Sequence, residues 1–181
     1  MTAAFTSFFD PAMAPAFGAA GLAAQLAGPL YRRRQTMLTL QLTAACAYAT
    51  SYALLGQSTA TAVCVSGAIQ TSVALIAGDR PWLKGIGYAF LPGVVAIGAL
   101  TFSGLPTILA VTACCLVMIG RLQRDPLRMR GVQLAASPIG AAHDAAVGAW
   151  PSLAGALLTF TVAGMAFRRE LRARRGAAVP A

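Results

Sequence analysis

The chain of 181 residues carries a formal net charge of +9, with 57% hydrophobic and only 10% charged residues. Soluble domains of this length hold roughly 25% charged residues, so the composition is that of a membrane protein. Nucleic-acid binding would need the cations on one face with aromatic or helical readers, whereas here they sit in short clusters between apolar runs.

The N-terminus, MTAAFTSFFDP, lacks a basic region and carries Asp10, unlike a cleaved signal peptide, so the first apolar segment is expected to be retained. Taking about 17 to 22 apolar residues as a span, the first runs from Met13 to Leu30 and stops at Tyr31-Arg32-Arg33-Arg34. The second runs from Gln35 to Gly56, and after Gln57-Ser58 the third continues to Gly78. A charged loop with an interfacial tryptophan, Asp79 to Lys84, precedes a fourth span from Gly85 to Phe102, interrupted by Pro92-Gly93. A turn, Ser103 to Pro106, leads to a fifth span ending at Gly120, and Arg121 to Arg130 form the most basic interior loop. The sixth span, Gly131 to Val147, is the weakest by hydropathy because it contains Ser137, Pro138, His143 and Asp144. Trp150-Pro151 marks an interface before the seventh span, which ends at Phe167 ahead of a basic tail.

Seven spans place all 14 lysines and arginines on one side, in Arg32 to Arg34, Arg80 with Lys84, Arg121 to Arg130, and Arg168 to Arg175. Omitting the doubtful sixth span would put the tail opposite the other clusters. The positive-inside rule then orients the N-terminus outside and the C-terminus in the cytoplasm, and the clusters serve as topology signals and contacts for anionic lipids. The four cysteines, Cys46, Cys64, Cys114 and Cys115, lie in apolar segments without paired CxxC spacing or nearby histidine. They indicate neither a metal site nor a disulfide framework, and no cofactor is expected.

Laying Leu30 to Ala62 over Leu122 to Ala154 gives about ten identities in roughly thirty positions, with Gln41-Leu42 on Gln133-Leu134 and Gly56 on Gly148. The expected fold is all-α and polytopic: seven transmembrane helices as two parallel three-helix repeats joined by a linker helix. The units are an outer segment at 1–12, a first bundle at 13–78, a linker with its cytoplasmic loop at 79–104, a second bundle at 105–167 and a cytoplasmic tail at 168–181.

His143 and Asp144 are the one adjacent ionisable pair inside a span, and burying such groups costs a few kcal/mol unless they are paired or wet. His143 lies about 18 Å along the sixth span, toward its outer end. Adjacent helical residues diverge by about 100°, so one of the pair can face the bundle while its neighbour faces the outer interface. As a titratable gate or substrate contact, His143 would face its repeat counterpart Ser51 across the pseudo-twofold axis; as an ordinary polar residue it bonds a neighbouring carbonyl. Gln41 and Gln133, near the cytoplasmic ends of equivalent spans, and Gln70 in the third are read as interhelical hydrogen-bonding residues or as lining of a gate or cavity. Small residues such as Ser66-Gly67-Ala68 allow close helix approach.

The run RRRQTMLTLQLTAACAYATSYALLGQSTATAV resembles the first half of the YgjV-type bacterial inner-membrane proteins, in which a basic turn, a Gln-containing helix and an LLG turn recur at this spacing. The AHD of the sixth span is similar to that family's second-half His-Asn. The resemblance implies an inner-membrane protein, and its three-plus-one-plus-three layout is also similar to SWEET and PQ-loop transporters, which move small solutes by rocking two triple-helix bundles. The chain departs from that pattern: it has no Pro-Gln pair, Ser51 stands at the first-half histidine position, Asp144 replaces the second-half asparagine, and Gly67 stands where a third-span asparagine is expected.

Enzymatic readings fail on the residues, since no GxSG accompanies the histidine and no second intramembrane carboxylate accompanies Asp144. A retinal protein would need a lysine in the seventh span, and the sole lysine is Lys84. The expectation is binding or translocation of a small polar solute between the bundles, in a chain that also allows homo-oligomers. The rival is a non-transporting structural or accessory membrane protein. A water-filled centre reaching His143 favours the first, and a dry centre packed with alanine and glycine favours the second.

Overall fold

The computed structural model describes residues 11–77 and 80–177. Residues 1–10 of the expected outer segment, Gly78 and Asp79 at the boundary between first bundle and linker, and the last four of the tail lie outside them. Among the described residues there are seven α-helices and no strand: α1 Ala14–Ala27, α2 Arg34–Leu54, α3 Ser58–Ala77, α4 Pro81–Leu100, α5 Leu105–Arg121, α6 Pro126–Ala146 and α7 Trp150–Ala177. Short 3-10 turns at Pro11–Met13 and Gly28–Leu30 flank α1.

Local chemistry explains the boundaries. The Asp125 side chain accepts from Leu127 N at 3.2 Å and Pro126 opens the helix, so α6 starts well before Gly131, where hydropathy alone begins it. α2 and α6 end alike, with Gly56 and Gly148 both at φ +70°, a left-handed conformation that glycine adopts without a Cβ penalty. The backbone bonds closing the two ends match one for one: Gln57 N to Tyr52 O at 2.9 Å and Ala149 N to Asp144 O at 2.8 Å. α4 runs unbroken through Pro92, where an interruption is expected from sequence. α7 continues ten residues past Phe167, carrying much of the basic tail as helix.

α2 packs between α1 and α3, and α6 between α5 and α7; α4 lies against α3 and α5, and α1 meets α7. The buried core joins both halves: Met37, Leu38 and Ala74 pack with Leu122 and Met129. Met37 and Met129 are equivalent in the internal alignment, as are the buried Ala44 and Ala136. The interior is also polar, with Gln70 and Thr71 fully buried, while Ile76, Leu100, Leu157 and Met165 are exposed.

Among the described residues, no helix is long and apolar enough to cross a membrane. The expected first span contains only a 14-residue α-helix, and α5 has 17 residues. α2 and α6 have 21 residues each, but their apolar runs are diluted by Gln41 and several threonines in one and by Arg128, Arg130, Gln133, His143 and Asp144 in the other.

Candidate functional site

Two groups of side chains occupy opposite ends of the bundle. At the end where α1 and α5 begin, Ser51 Oγ donates to Ala14 O at 2.8 Å, and His143 Nδ1 bonds Pro106 O at 3.0 Å. Both bonds span 37 residues, so each polar side chain of α2 or α6 holds the first turn of the preceding helix in its own half. The two residues are equivalents engaged separately rather than a pair facing one another. Asp144 turns to the other side of α6 and accepts from Ser152 Oγ at 2.8 Å, in the first turn of α7, where a carboxylate is favourable. The expected divergence of neighbouring helical residues is thus visible, with the histidine on α5 and the aspartate on α7.

The second group joins the halves. Gln41 Nε2 donates to Gln133 Oε1 at 3.0 Å and Gln133 Nε2 to Gln41 Oε1 at 3.3 Å, a reciprocal amide pair between residues 92 apart. Gly120 makes room for it, because a Cβ there would lie 2.9 Å from Gln133 Cγ. Arg121, the last residue of α5, then ties the pair to α3. Its Nε donates to Gln41 Oε1 at 3.2 Å, and Nη1 donates to Gln70 Oε1 at 3.3 Å and to Gly67 O at 3.4 Å. Gln70 Nε2 completes the chain by donating to Met118 O at 3.2 Å. These bonds join Arg121 to amide and carbonyl oxygens; among the described residues no carboxylate pairs with it.

Just beyond this network, Arg34 reaches from α2 across the other half. Its Nε donates to Gln123 O at 2.6 Å, and Nη2 donates to Arg121 O at 2.9 Å and Ala74 O at 3.1 Å. A cation on the last carbonyls of α5 and α3 complements the negative ends of both helices. Farther out, Asp125 takes two bonds from Arg174, at 2.6 and 3.1 Å, and Glu170 pairs with Arg32 at 3.4 Å and Arg174 at 3.5 Å. The Arg174 guanidinium holds the Asp125 carboxyl below its ordinary range. The basic clusters at Arg32 to Arg34, Arg121 to Arg130 and the tail therefore converge on one end.

Gln41, Gln133 and Gln70 are brought together, and Ser51, His143 and Asp144 are not among them. The sequence missed Arg121 and Arg34, which it assigned to topology clusters. The available signal was position: each sits at the boundary of an apolar run, within a helix rather than a loop. Two cavities of about 350 Å³ each lie along α7, one shared with Tyr31, Arg32 and Arg130 and one beside Arg168 and Arg172; neither reaches His143. No cluster of metal-ligating side chains occurs among the described residues.

Residues 12–175 match the model of a family, Imp-YgjV, described as bacterial inner membrane protein. No curated protein and no solved structure matches the chain.

Proposed function

We propose, for a chain that belongs to the Imp-YgjV family of bacterial inner-membrane proteins, that its helices cross the membrane as two three-helix units linked by α4, and that a small polar solute is bound or moved between them. Embedding is supported by the apolar exterior, where Ile76, Leu100, Leu157 and Met165 are among many exposed large hydrophobic side chains, while Gln70, Thr71 and Arg130 are buried. Trp82 at the basic end and Trp150 at the opposite end are exposed, as side chains at membrane interfaces are. Helices of 21 residues are about 30 Å long, the thickness of the hydrocarbon core. Hydropathy taken helix by helix counts Gln41, Gln133 and Gln70 against a span, although Gln41 and Gln133 bond each other and Gln70 bonds Arg121 and Met118 O instead of meeting lipid. The basic end is then cytoplasmic, with the N-terminus outside.

The observation that carries the solute reading is the Gln41–Gln133 pair at the junction of the units, held by an arginine that has no carboxylate partner among the described residues. Such a guanidinium can take a carboxylate or phosphate bidentately, with the glutamines completing the contacts. The polar solute would then be acidic, and in its absence the amide pair closes the cytoplasmic end. The similarity in layout to SWEET and PQ-loop transporters agrees with two units rocking about this contact. One observation favours a second reading, a non-transporting accessory membrane protein: neither described cavity reaches His143.

The test is a thermal-shift screen of purified protein against small carboxylates and phosphate esters, followed by uptake into proteoliposomes. A ligand should raise Tm in the wild type and lose most of that effect in Arg121→Lys, which keeps charge but not the bidentate fork. A ligand indifferent to both Arg121→Lys and Gln133→Leu would remove the site, and binding without uptake would leave the accessory reading.

A further inference from the structure

The groove between the α1–α2 turn, α6 and α7 is the counterpart of a seam that is filled elsewhere in the same molecule. Where α2, α3 and the end of α5 meet, Leu38, Ala74 and Leu122 are at most 2% exposed, and α4 lies so close to Leu122 that a Cβ on Gly87 would clash with its Cδ2. Shifting those three residues by the 92 positions separating Gln41 from Gln133 gives Arg130, Ala166 and Leu30. All three line the groove of about 350 Å³, and Leu30 is 67% exposed. No described helix takes the place of α4 there, because the positions 92 residues after the start of α4 are the end of α7 itself.

Of those three positions one differs chemically: Leu38 is replaced by Arg130. Arg130 is 4% exposed, its Nη2 donates to Tyr31 O, and its buried Nε has no hydrogen-bond partner among the described residues. A buried guanidinium N–H left unsatisfied is costly and calls for an acceptor. Arg32 and Arg169 stand at the same groove, which Glu170 neutralises only in part, and Met165 and Leu30 extend it as an apolar wall.

We propose that this groove holds an anionic phospholipid, its phosphate on Arg130, Arg169 and Arg32 and an acyl chain along Leu30 and Met165 in the place that α4 takes in the equivalent seam. Glu170 already binds Arg32 at 3.4 Å, so the phosphate depends chiefly on Arg130 and Arg169. The proposal needs residence in a membrane, which the family supplies, and is independent of whether a solute is moved.

Full-length protein in a non-ionic detergent is titrated with phosphatidylglycerol and with phosphatidylcholine of identical chains, bound lipid being counted by native mass spectrometry and Tm followed in parallel. Phosphatidylglycerol should bind about tenfold more tightly than phosphatidylcholine, whose choline cation offsets its phosphate charge, and Arg130→Gln and Arg169→Gln should each remove most of that preference. Arg169 is exposed, so its variant tests the site even where Arg130→Gln fails to fold. Equal binding of the two lipids, or a preference surviving in Arg169→Gln and in any folded Arg130→Gln, overturns the proposal. Displacement of the lipid by millimolar inorganic phosphate would also overturn it, marking a free-phosphate site. Arg121→Lys, which tests the solute site, should leave the preference unchanged, so the two readings fail separately.

Discussion

Replacing Gln41 and Gln133 by leucine, singly and together, tests the contact between the halves, and the geometry predicts an unequal result. Gln41 Oε1 accepts from both Gln133 Nε2 at 3.3 Å and Arg121 Nε at 3.2 Å, whereas among the described residues Gln133 Oε1 accepts from Gln41 alone. An interhelical hydrogen bond in a membrane contributes about 0.6 kcal/mol on average, and a bond to a charged group about 1.5–3 kcal/mol. Gln133→Leu should therefore cost about 1 kcal/mol, and Gln41→Leu, which also leaves Arg121 Nε without that acceptor, about 2–3 kcal/mol. The double variant replaces both amides by apolar groups and should be less destabilised than the sum by about 1 kcal/mol. Reversible unfolding in mixed micelles, titrated with dodecyl sulfate and followed by far-UV circular dichroism, measures all three. Gln133→Leu costing as much as Gln41→Leu, or strict additivity, would refute the reciprocal pair as the contact joining the halves.

Other outcomes are equally specific. In a variant lacking the four native cysteines, cysteines at Ser103 and Trp150 should label with an impermeant reagent from outside while those at Arg124 and Arg172 do not; the reverse pattern would show the orientation to be wrong. Gly87→Val should cost about 1–3 kcal/mol by thermal unfolding, because Leu122 is 2% exposed and cannot move away from a Cβ that would approach within 2.4 Å. Ser51→Ala and His143→Ala should each cost about 1 kcal/mol for the lost bond to the preceding helix, with His143→Gln recovering part of it, and a much larger loss would give these residues a further role. Asp125→Asn keeps the helix cap but loses the charge on Arg174, so it should cost under about 1 kcal/mol near pH 7. Since the folded carboxyl titrates below its ordinary 3.8, the wild type's advantage is fully present above that pH and is lost as pH falls through the lowered value; a difference persisting in stronger acid would contradict the pairing.

The internal repeat was legible because equivalent helices need the same residues for the same tasks. Gln41 and Gln133 bond each other, Gly56 and Gly148 close α2 and α6, and Met37 and Met129 share one core. Helix ends were less legible. Hydropathy starts the expected sixth span at Gly131, whereas the Asp125-Pro126 capping signal starts the helix five residues earlier, and the charge pattern separates the tail's arginines from the helix that carries them. The arginine contacts could not be read from local sequence, because charge clusters written in separate turns converge only after the bundle forms. Arg34 finds its acceptors 40 to 89 residues away in sequence, on carbonyls that any residue type could supply.

Arg34 also limits how the molecule can deform. One guanidinium ties α2 and α3 to the end of α5 through three carbonyls, at 2.6, 2.9 and 3.1 Å, and two of those acceptors belong to the second half of the chain. Hydrogen bonds to a charged donor are short-ranged, and this planar fork cannot lengthen toward one partner without leaving another. Parting the halves at this end by even about an ångström would weaken both crossing bonds together. Separation there should therefore have a threshold, with closed and parted arrangements as discrete states and little population between them.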